Sequence, residues 1–280
     1  MHVVQTVSEV RRIRRELTGS WGLVPTMGYL HEGHLSLVRR ARVENDHVGV
    51  SIFVNPTQFG PNEDLDTYPR DLERDLSLLR ELNVDLVWAP PVEEVYPPGF
   101  QTYVTVEEVS KPLEGAARPG HFRGVATIVA KLFNIFQPDR AYFGQKDAQQ
   151  VVVIRQMVRD LNFPLEVVVC PTVREPDGLA MSSRNVYLTP EQRAAAPVLY
   201  KALCAARDAW KAGEHDGEQL RRIMRSVLDA EPLAQTEYVS AADPTTLVEL
   251  GDASRGVLLS MAVRIGKARL IDNMLLLPKE

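Results

Sequence analysis

The strongest constraint on this chain is a regular alternation of short apolar runs with helical periods through its first two-thirds. Gly22–Thr26 is a short apolar run ending in Pro-Thr, and His34–Val43 then carries apolar positions at Leu35, Val38 and more weakly at Ala41 or Arg42. Val48–Val54, VGVSIFV, is a continuous β-rich run of the kind that forms a strand buried on both faces. Asp71–Leu82 reads as a charged amphipathic helix with Leu72, Leu76 and Leu79 on one face, and Val84–Trp88 as the next strand. Thr102–Val106 alternates as a strand. Val125, Ile128, Val129, Leu132, Phe133 and Phe136 then recur at i, i+3, i+4, which predicts a helix. Arg140–Phe143 is a short strand, Val151, Ile154, Val158 and Leu161 mark a helix, and Leu165–Cys170 is a valine-rich strand. Strands separated by helices predict an α/β fold with a parallel sheet and right-handed crossovers.

After Val173 the texture changes. Pro176-Asp177-Gly178 is a turn signal, and Thr189-Pro190-Glu191 starts a helix with Thr at the N-cap and Pro at the first helical position. That helix is expected to run toward Lys211, and a second covers about Glu218–Leu228. Glu237–Ser240, Gly256–Val263 and Ala268–Ile271 read as strands. Helices followed by strands predict a smaller α+β unit. A boundary near Val173–Pro176 divides the chain into units 1–174 and 175–280, and 280 residues suffice for two domains.

Composition narrows the functions. Charged residues number 32 basic and 37 acidic, a formal net charge of -5, whereas nucleic-acid binding calls for clustered Lys and Arg. Small-molecule chemistry is therefore expected, with no nucleic acid. No apolar run reaches the roughly 18 residues of a membrane helix, and the opening MHVVQTVSEVRRIRREL lacks an apolar secretory core, so no membrane association and a cytoplasmic location are expected. The two cysteines, Cys170 and Cys204, are far apart and in no CxxC pair, which predicts two buried thiols.

Several segments carry chemistry. Pro25-Thr26-Met27-Gly28-Tyr29-Leu30-His31-Glu32-Gly33-His34 lies between a strand and a helix, where open α/β sheets bind ligands. Gly28 and Gly33 let the backbone turn and approach a ligand. His31 and His34, three apart, share one face of a helix start and can donate to phosphate oxygens. This site reading outweighs the plainer alternative, that both histidines only cap the helix. A zinc site lacks a third ligand at suitable spacing.

Phe143-Gly144-Gln145-Lys146-Asp147 is again a strand end before a helix. Lys146 offers a compact positive charge and Asp147 a cap or a partner for metal or ribose; a plain surface turn fits the segment equally well. Gln149 and Gln150 suit a hydroxy acid, or are simply exposed. In Leu179–Asn185, Ser182, Ser183 and Arg184 would make a mobile phosphate clamp or a polar interdomain loop. Asn55 and Gln58, after the buried strand, can orient a small substrate. Pro61–Arg70 reads as a lid or an ordinary loop. Arg118, His121 and Arg123 either add positive charge near a helix start or serve only helix entry.

Taken in order, PTMGYLHEGH, NPTQF, LEGAARPGHFRGV, YFGQKDAQQ, REPDGLAMSSRNVYL and RLIDN closely resemble the pantothenate synthetase (pantoate–β-alanine ligase) family over nearly the whole chain. HEGH is similar to the HIGH motif of the nucleotidylyl-transfer superfamily, and MSSRN to its KMSKS loop. Gln145 stands where many relatives have Glu, and the loop around Leu65 varies. The resemblance implies a Rossmann-like nucleotide domain with a smaller C-terminal domain, and a homodimer through the N-terminal domains. It implies that ATP, with Mg2+, activates (R)-pantoate as pantoyl adenylate, which β-alanine converts to pantothenate. His34, His31 and Lys146 would be catalytic. ATP would meet Met27 to His34, including Tyr29, Leu30 and Glu32, with Gly144 to Asp147, Val173 and Met181 to Arg184. Gln58 and Gln150 would bind pantoate, and Gln58 also β-alanine, with Asn55 nearby. The metal ligands are not implied. Three rival readings remain to be separated by experiment: a nucleotidyltransferase that keeps the nucleotide on its product, an RNA binder of the aminoacyl-tRNA-synthetase type, and a non-catalytic nucleotide sensor.

Overall fold

The computed structural model describes residues 1–61 and 63–278, so Asn62 of the expected lid lies outside the described residues. In chain order the first unit runs β1 (His2–Val4), α1 (Val7–Glu16), β2 (Trp21–Thr26), α2 (Glu32–Glu44), β3 (His47–Ile52), α3 (Leu72–Glu81), β4 (Leu86–Trp88), the single turns α4 (Val92–Val95) and α5 (Glu114–Ala117), α6 (His121–Phe136), β5 (Arg140–Gly144), α7 (Ala148–Asp160) and β6 (Glu166–Cys170). The six strands form one parallel sheet in the order β1-β4-β3-β2-β5-β6.

Apolar side chains cover both faces of this sheet, which is why β3 shows no polar alternation. On one face α1, α6 and α7 pack against Leu23 and Ala141; on the other α2 and α3 pack against Val24, Val48 and Val50. Helix α6 sits unusually close. A Cβ on Gly49 of β3 would lie 2.7 Å from the Phe136 ring, and one on Gly124 of α6 would lie 2.3 Å from the carbonyl oxygen of Thr57. Glycine at these positions lets α6 rest on the strand and on the single turn Pro56–Gln58 that carries Gln58. The sheet order reverses between β2 and β5, and the carboxyl ends of strands at such a switch point form a ligand crevice.

The second unit holds α8 (Pro190–Ala195), α9 (Val198–Lys211), α10 (Gly217–Asp229) and a three-stranded antiparallel sheet, β7 (Ala234–Ala242), β8 (Val257–Ile265) and β9 (Ala268–Leu276). Along β8, Val257, Leu259, Met261, Val263 and Ile265 face α9 and α10, whereas Leu258 joins the core of the first unit. Period-2 alternation thus places one face on the domain's own core and turns the other to the parallel unit.

The α/β alternation and the later α+β texture match the observed architecture. Three local expectations need correction, and two elements were not expected. Thr102–Val106 joins no strand: it runs along α6, where the Thr127 hydroxyl accepts from the Val104 amide at 3.0 Å, so its alternation marks extended backbone without a partner. The helix expected from Thr189 to Lys211 is two, α8 and α9, divided at Ala196–Pro197, because proline has no amide to continue the ladder. Cys170 is buried, but Cys204 is only half-buried. Finally, β1 and α1 carry no expectation from apolar periodicity, although Thr6 and Glu9 form a capping box that announces α1.

Candidate active site

The loop after β2 is built from the strand outward. The Thr26 hydroxyl donates to Ser51 O at 2.8 Å and accepts from the Gly28 amide at 3.2 Å. Gly28 and Tyr29 then take positive φ, 84° and 51°, the left-handed conformation that suits glycine but strains tyrosine. Asp75 of α3 holds that strain: its buried carboxylate accepts from the Tyr29 and Leu30 amides, both at 2.7 Å. Burial pushes the Asp75 carboxyl up from its usual range, while the two amides oppose the shift. Asp75 stands inside an ordinary amphipathic helix, so no sequence signal marked it.

The turn delivers His31 to the N-cap of α2. His31 Nδ1 accepts from the Gly33 amide at 3.1 Å, and His34 Nδ1 accepts from the His31 amide at 3.4 Å. The two imidazoles therefore do cap the helix, and that engagement fixes their tautomer: each proton sits on Nε2. The rings lie 4.1 Å apart and both line the cavity between the β2 and β5 exits. Burial, with the nearby Lys146 ammonium, lowers His31 to about 4. Burial, then His31 and Lys146, lowers His34 to about 3. Both are neutral donors at pH 7.

Opposite them, the single turn Gln145–Asp147 after β5 brings Lys146 to the same cavity, its ammonium 3.7 Å from Asp147. Met27, Gly33, Gly144, Val173, Met181, Ser182, Ser183 and Arg184 also line it. Phe53, with Val125, Ile128 and Val129 of α6, adds an apolar wall, and Gln58 and Gln150 also line the cavity, Gln58 Nε2 donating to Met27 Sδ at 3.3 Å. The whole cavity is about 230 Å³.

Some expected side chains do not reach it. Leu30 is packed in the core with α2 and α3, Glu32 points outward to pair with Arg39, and Tyr29 stacks under Arg74, 5.5 Å from the guanidinium carbon. Gly28 and Gln145 also lie outside the lining, Gln145 bonded to Asn273 at 3.1 Å. These five would contribute through backbone only. Gln149 is structural, accepting from the Glu114 amide and donating to the Val109 and Pro112 carbonyls. Arg123 stacks on Tyr103 at 3.8 Å, outside the cavity lining.

Asn55 borders the cavity, but its side chain is buried and its amide engaged. It accepts from Tyr96 at 2.8 Å and Thr57 at 2.9 Å, and donates to Gly124 O at 3.2 Å and Gln58 Oε1 at 3.0 Å. It therefore orients Gln58.

The 63–68 segment reaches across to the serine loop. Arg184 donates to both oxygens of Asp64, at 3.0 and 2.9 Å, and Arg118 donates to both oxygens of Glu63, at 2.7 and 2.6 Å. Tyr187 donates to Thr67 O at 3.0 Å. His121 donates from Nδ1 to Gln58 O at 2.8 Å and takes a bond from Arg118 on Nε2; burial, then Arg118, lowers it to about 4. Arg118 and His121 thus border the cavity with their polar groups committed to Glu63 and to the backbone of Gln58.

Three depressed histidines make stability pH-dependent. Unfolded, each titrates near 6.5; folded, near 3 to 4. Above the unfolded value neither state is protonated. As pH falls below it, the unfolded chain binds protons that the native chain refuses, so stability decreases. The urea midpoint should fall between pH 7 and pH 5, and His34→Gln should lessen the fall. A midpoint constant over that range would refute the neutral assignment.

Fold and cavity together define an α/β protein with two imidazoles, an ammonium and a guanidinium lining a cavity where the strand order of its parallel sheet reverses. Among the described residues no helix is long and apolar enough to cross a membrane. The chain belongs to the pantoate-beta-alanine ligase family, whose model matches residues 2–275. It is 65% identical over 276 residues to the pantothenate synthetase of Roseiflexus sp. (strain RS-1), covering 99% of each chain. It is 66% identical to that of Chloroflexus aggregans, covering 99% of this chain and 100% of the relative. The crystal structure of pantothenate synthetase from Thermus thermophilus superposes with a TM-score of 0.95 at 55% identity, covering 99% of this chain and 100% of that one. Pantoate-beta-alanine ligase from Francisella tularensis, complexed with beta-gamma ATP and beta-alanine, gives 0.81 at 38% identity over 98% of this chain and 97% of that one.

Proposed function

We propose that the cavity between β2 and β5 is where this ligase joins (R)-pantoate to β-alanine, with ATP as the activating substrate. The carboxylate of pantoate attacks the α-phosphorus of ATP, and the bond to the bridging oxygen breaks, giving pantoyl adenylate and pyrophosphate. The amine of β-alanine then attacks the acyl carbon, the bond to AMP breaks, and pantothenate and AMP leave. No protein nucleophile is needed.

One observation carries this assignment: His31, His34, Lys146 and Arg184 line the same cavity as an apolar wall from α6 and the side chains of Gln58 and Gln150. The triphosphate lies against these four side chains. The Nε2–H groups of His31 and His34 donate to phosphate oxygens there, and a nearby polyanion favours the charged form of each ring, so their donor strength grows as charge develops. Lys146 neutralises the departing pyrophosphate. Ser182, Ser183 and Arg184 close on the phosphates, Arg184 exchanging Asp64 for them. Gly144, Asp147, Val173 and Met181 border the nucleotide, with Met27 and the backbone of Gly28 to Gly33. The two methyl groups of pantoate pack on Val125, Ile128 and Val129, while Gln58 and Gln150 bond its hydroxyls and carboxylate. Gln58 also orients β-alanine. Neutral amides suit a carboxylate that must stay nucleophilic.

Among the described residues no three His, Cys, Asp or Glu side chains group to hold a metal. Mg2+ commonly binds through one or two carboxylates plus substrate phosphates, which fits the cavity's one carboxylate, Asp147. Bound there with ATP, it would neutralise phosphate charge. We also assign units 1–174 and 175–280 as the two domains, each with its own apolar core, and propose a cytoplasmic homodimer joined through the first.

ATP–pyrophosphate exchange tests the proposal: exchange should require pantoate and should not require β-alanine. Exchange independent of pantoate, or a product that retains the nucleotide, would favour a nucleotidyltransferase instead. Gln150→Ala should raise the KM for pantoate at least about tenfold while leaving that for ATP nearly unchanged, since a lost hydrogen bond to a charged group is worth about 1.5–3 kcal/mol. Equal losses for both substrates would remove Gln150 from pantoate binding.

A further inference from the structure

Asn273, in the Arg269–Asn273 segment of β9, does not line the substrate cavity, yet it is bonded to the turn that carries Lys146. Its amide group donates to Gln145 O at 2.9 Å and to Lys146 O at 2.8 Å, while its carbonyl oxygen accepts from Gln145 Nε2 at 3.1 Å. Every polar function of this side chain, which is 4% exposed, is thus directed at one turn on the other domain. The turn has little local support: its N-cap, Gly144, has no side chain to cap it, and Asp147 makes no capping bond to α7. Asn273 is itself held. Its backbone amide donates to Asp272 at 2.8 Å, and Asp272 accepts from Nη1 and Nη2 of Arg174, at 2.6 and 2.9 Å.

We propose that Asn273 is a positioning residue for the adenylation step, by which the C-terminal sheet sets the backbone of Gln145 and Lys146 and so aims the Lys146 ammonium. A lysine stem is long and flexible, so the place of its charge depends on where the backbone points it. Misplacement by about 1 Å can cost on the order of 10² in rate. The inference rests on the role given to Lys146 above.

The test is a double-mutant cycle read by ATP–pyrophosphate exchange. Asn273→Ala should lower kcat by roughly 10- to 100-fold, with the KM values for ATP and pantoate within about threefold of wild type. Introduced into Lys146→Ala, the same substitution should cost less than about threefold more, because the group it positions is gone. Independent, multiplying losses would overturn the proposal and make Asn273 merely structural. A Lys146→Ala enzyme of normal activity would instead overturn the role of Lys146, so the two failures are distinct. Should the alanine variant not fold, the isosteric Asn273→Asp, which sets a carboxylate against two carbonyl oxygens, enters the same cycle with the same two outcomes.

Discussion

Lys146→Ala and His34→Ala are each expected to slow pantoyl-adenylate formation by roughly 10²–10³, the range for loss of one preorganised group facing developing charge. The two act differently. In the proposed reaction Lys146 would bring its ammonium to the departing pyrophosphate. His34, neutral and half-buried, would bring a hydrogen bond from Nε2 whose direction is set by the His31 amide bonded to Nδ1 at 3.4 Å. Both side chains already face the same space, so little reorganisation precedes the reaction. Single-turnover formation of the adenylate from ATP and pantoate measures the effect directly. Circular dichroism separates it from unfolding, a needed control because His34 also caps α2. A folded variant within a few-fold of wild type would remove that residue from the catalytic set.

The largest stability effect is expected at Arg174 and Asp272. Asp272 lies in β9 with a side chain only 2% exposed, and Arg174, 17% exposed, is its cationic partner. Arg174→Ala would leave that carboxylate buried without its ion-pair partner. Breaking such a pair typically costs about 3–5 kcal/mol, mostly through the orphaned charge rather than the lost attraction. Replacing both residues with apolar ones, Arg174→Met with Asp272→Leu, should recover much of the loss, because no charge then remains buried. Urea unfolding of the single and double variants measures both. A double variant that adds the two single losses would show that packing, for instance of Arg174 on Tyr200 at 4.2 Å, dominates instead.

Much of the fold was legible because burial leaves a period in the sequence. The runs that became β2, β3, β5 and β6, and the spacings that became α2, α3, α6 and α7, each carry the pattern their environment demands. Patterning failed where it marks conformation without partnership. Thr102–Val106 alternates but pairs with no strand, and the helical pattern from Thr189 continues through Pro197, where the backbone cannot.

The candidate site divides along the same line. The glycine turn before His31 and His34 pointed to a site by itself, whereas Lys146 and Arg184, which suit a surface turn or a polar loop as well, gained weight only from the combination of motifs and the family resemblance. Local sequence therefore determined the chemical inventory and the parallel α/β order that gathers it. Only the tertiary structure decided which amides are free and which are consumed: Gln150 lines the cavity while its neighbour Gln149 holds the α5 loop, and Asn55, at the cavity's edge, spends its amide on Gln58 and the backbone of α6. Asp75 and Asn273 were decided there too. Each acts on backbone amides or carbonyls far away in sequence, and a hydrogen bond closed by folding leaves no periodicity in the chain that makes it.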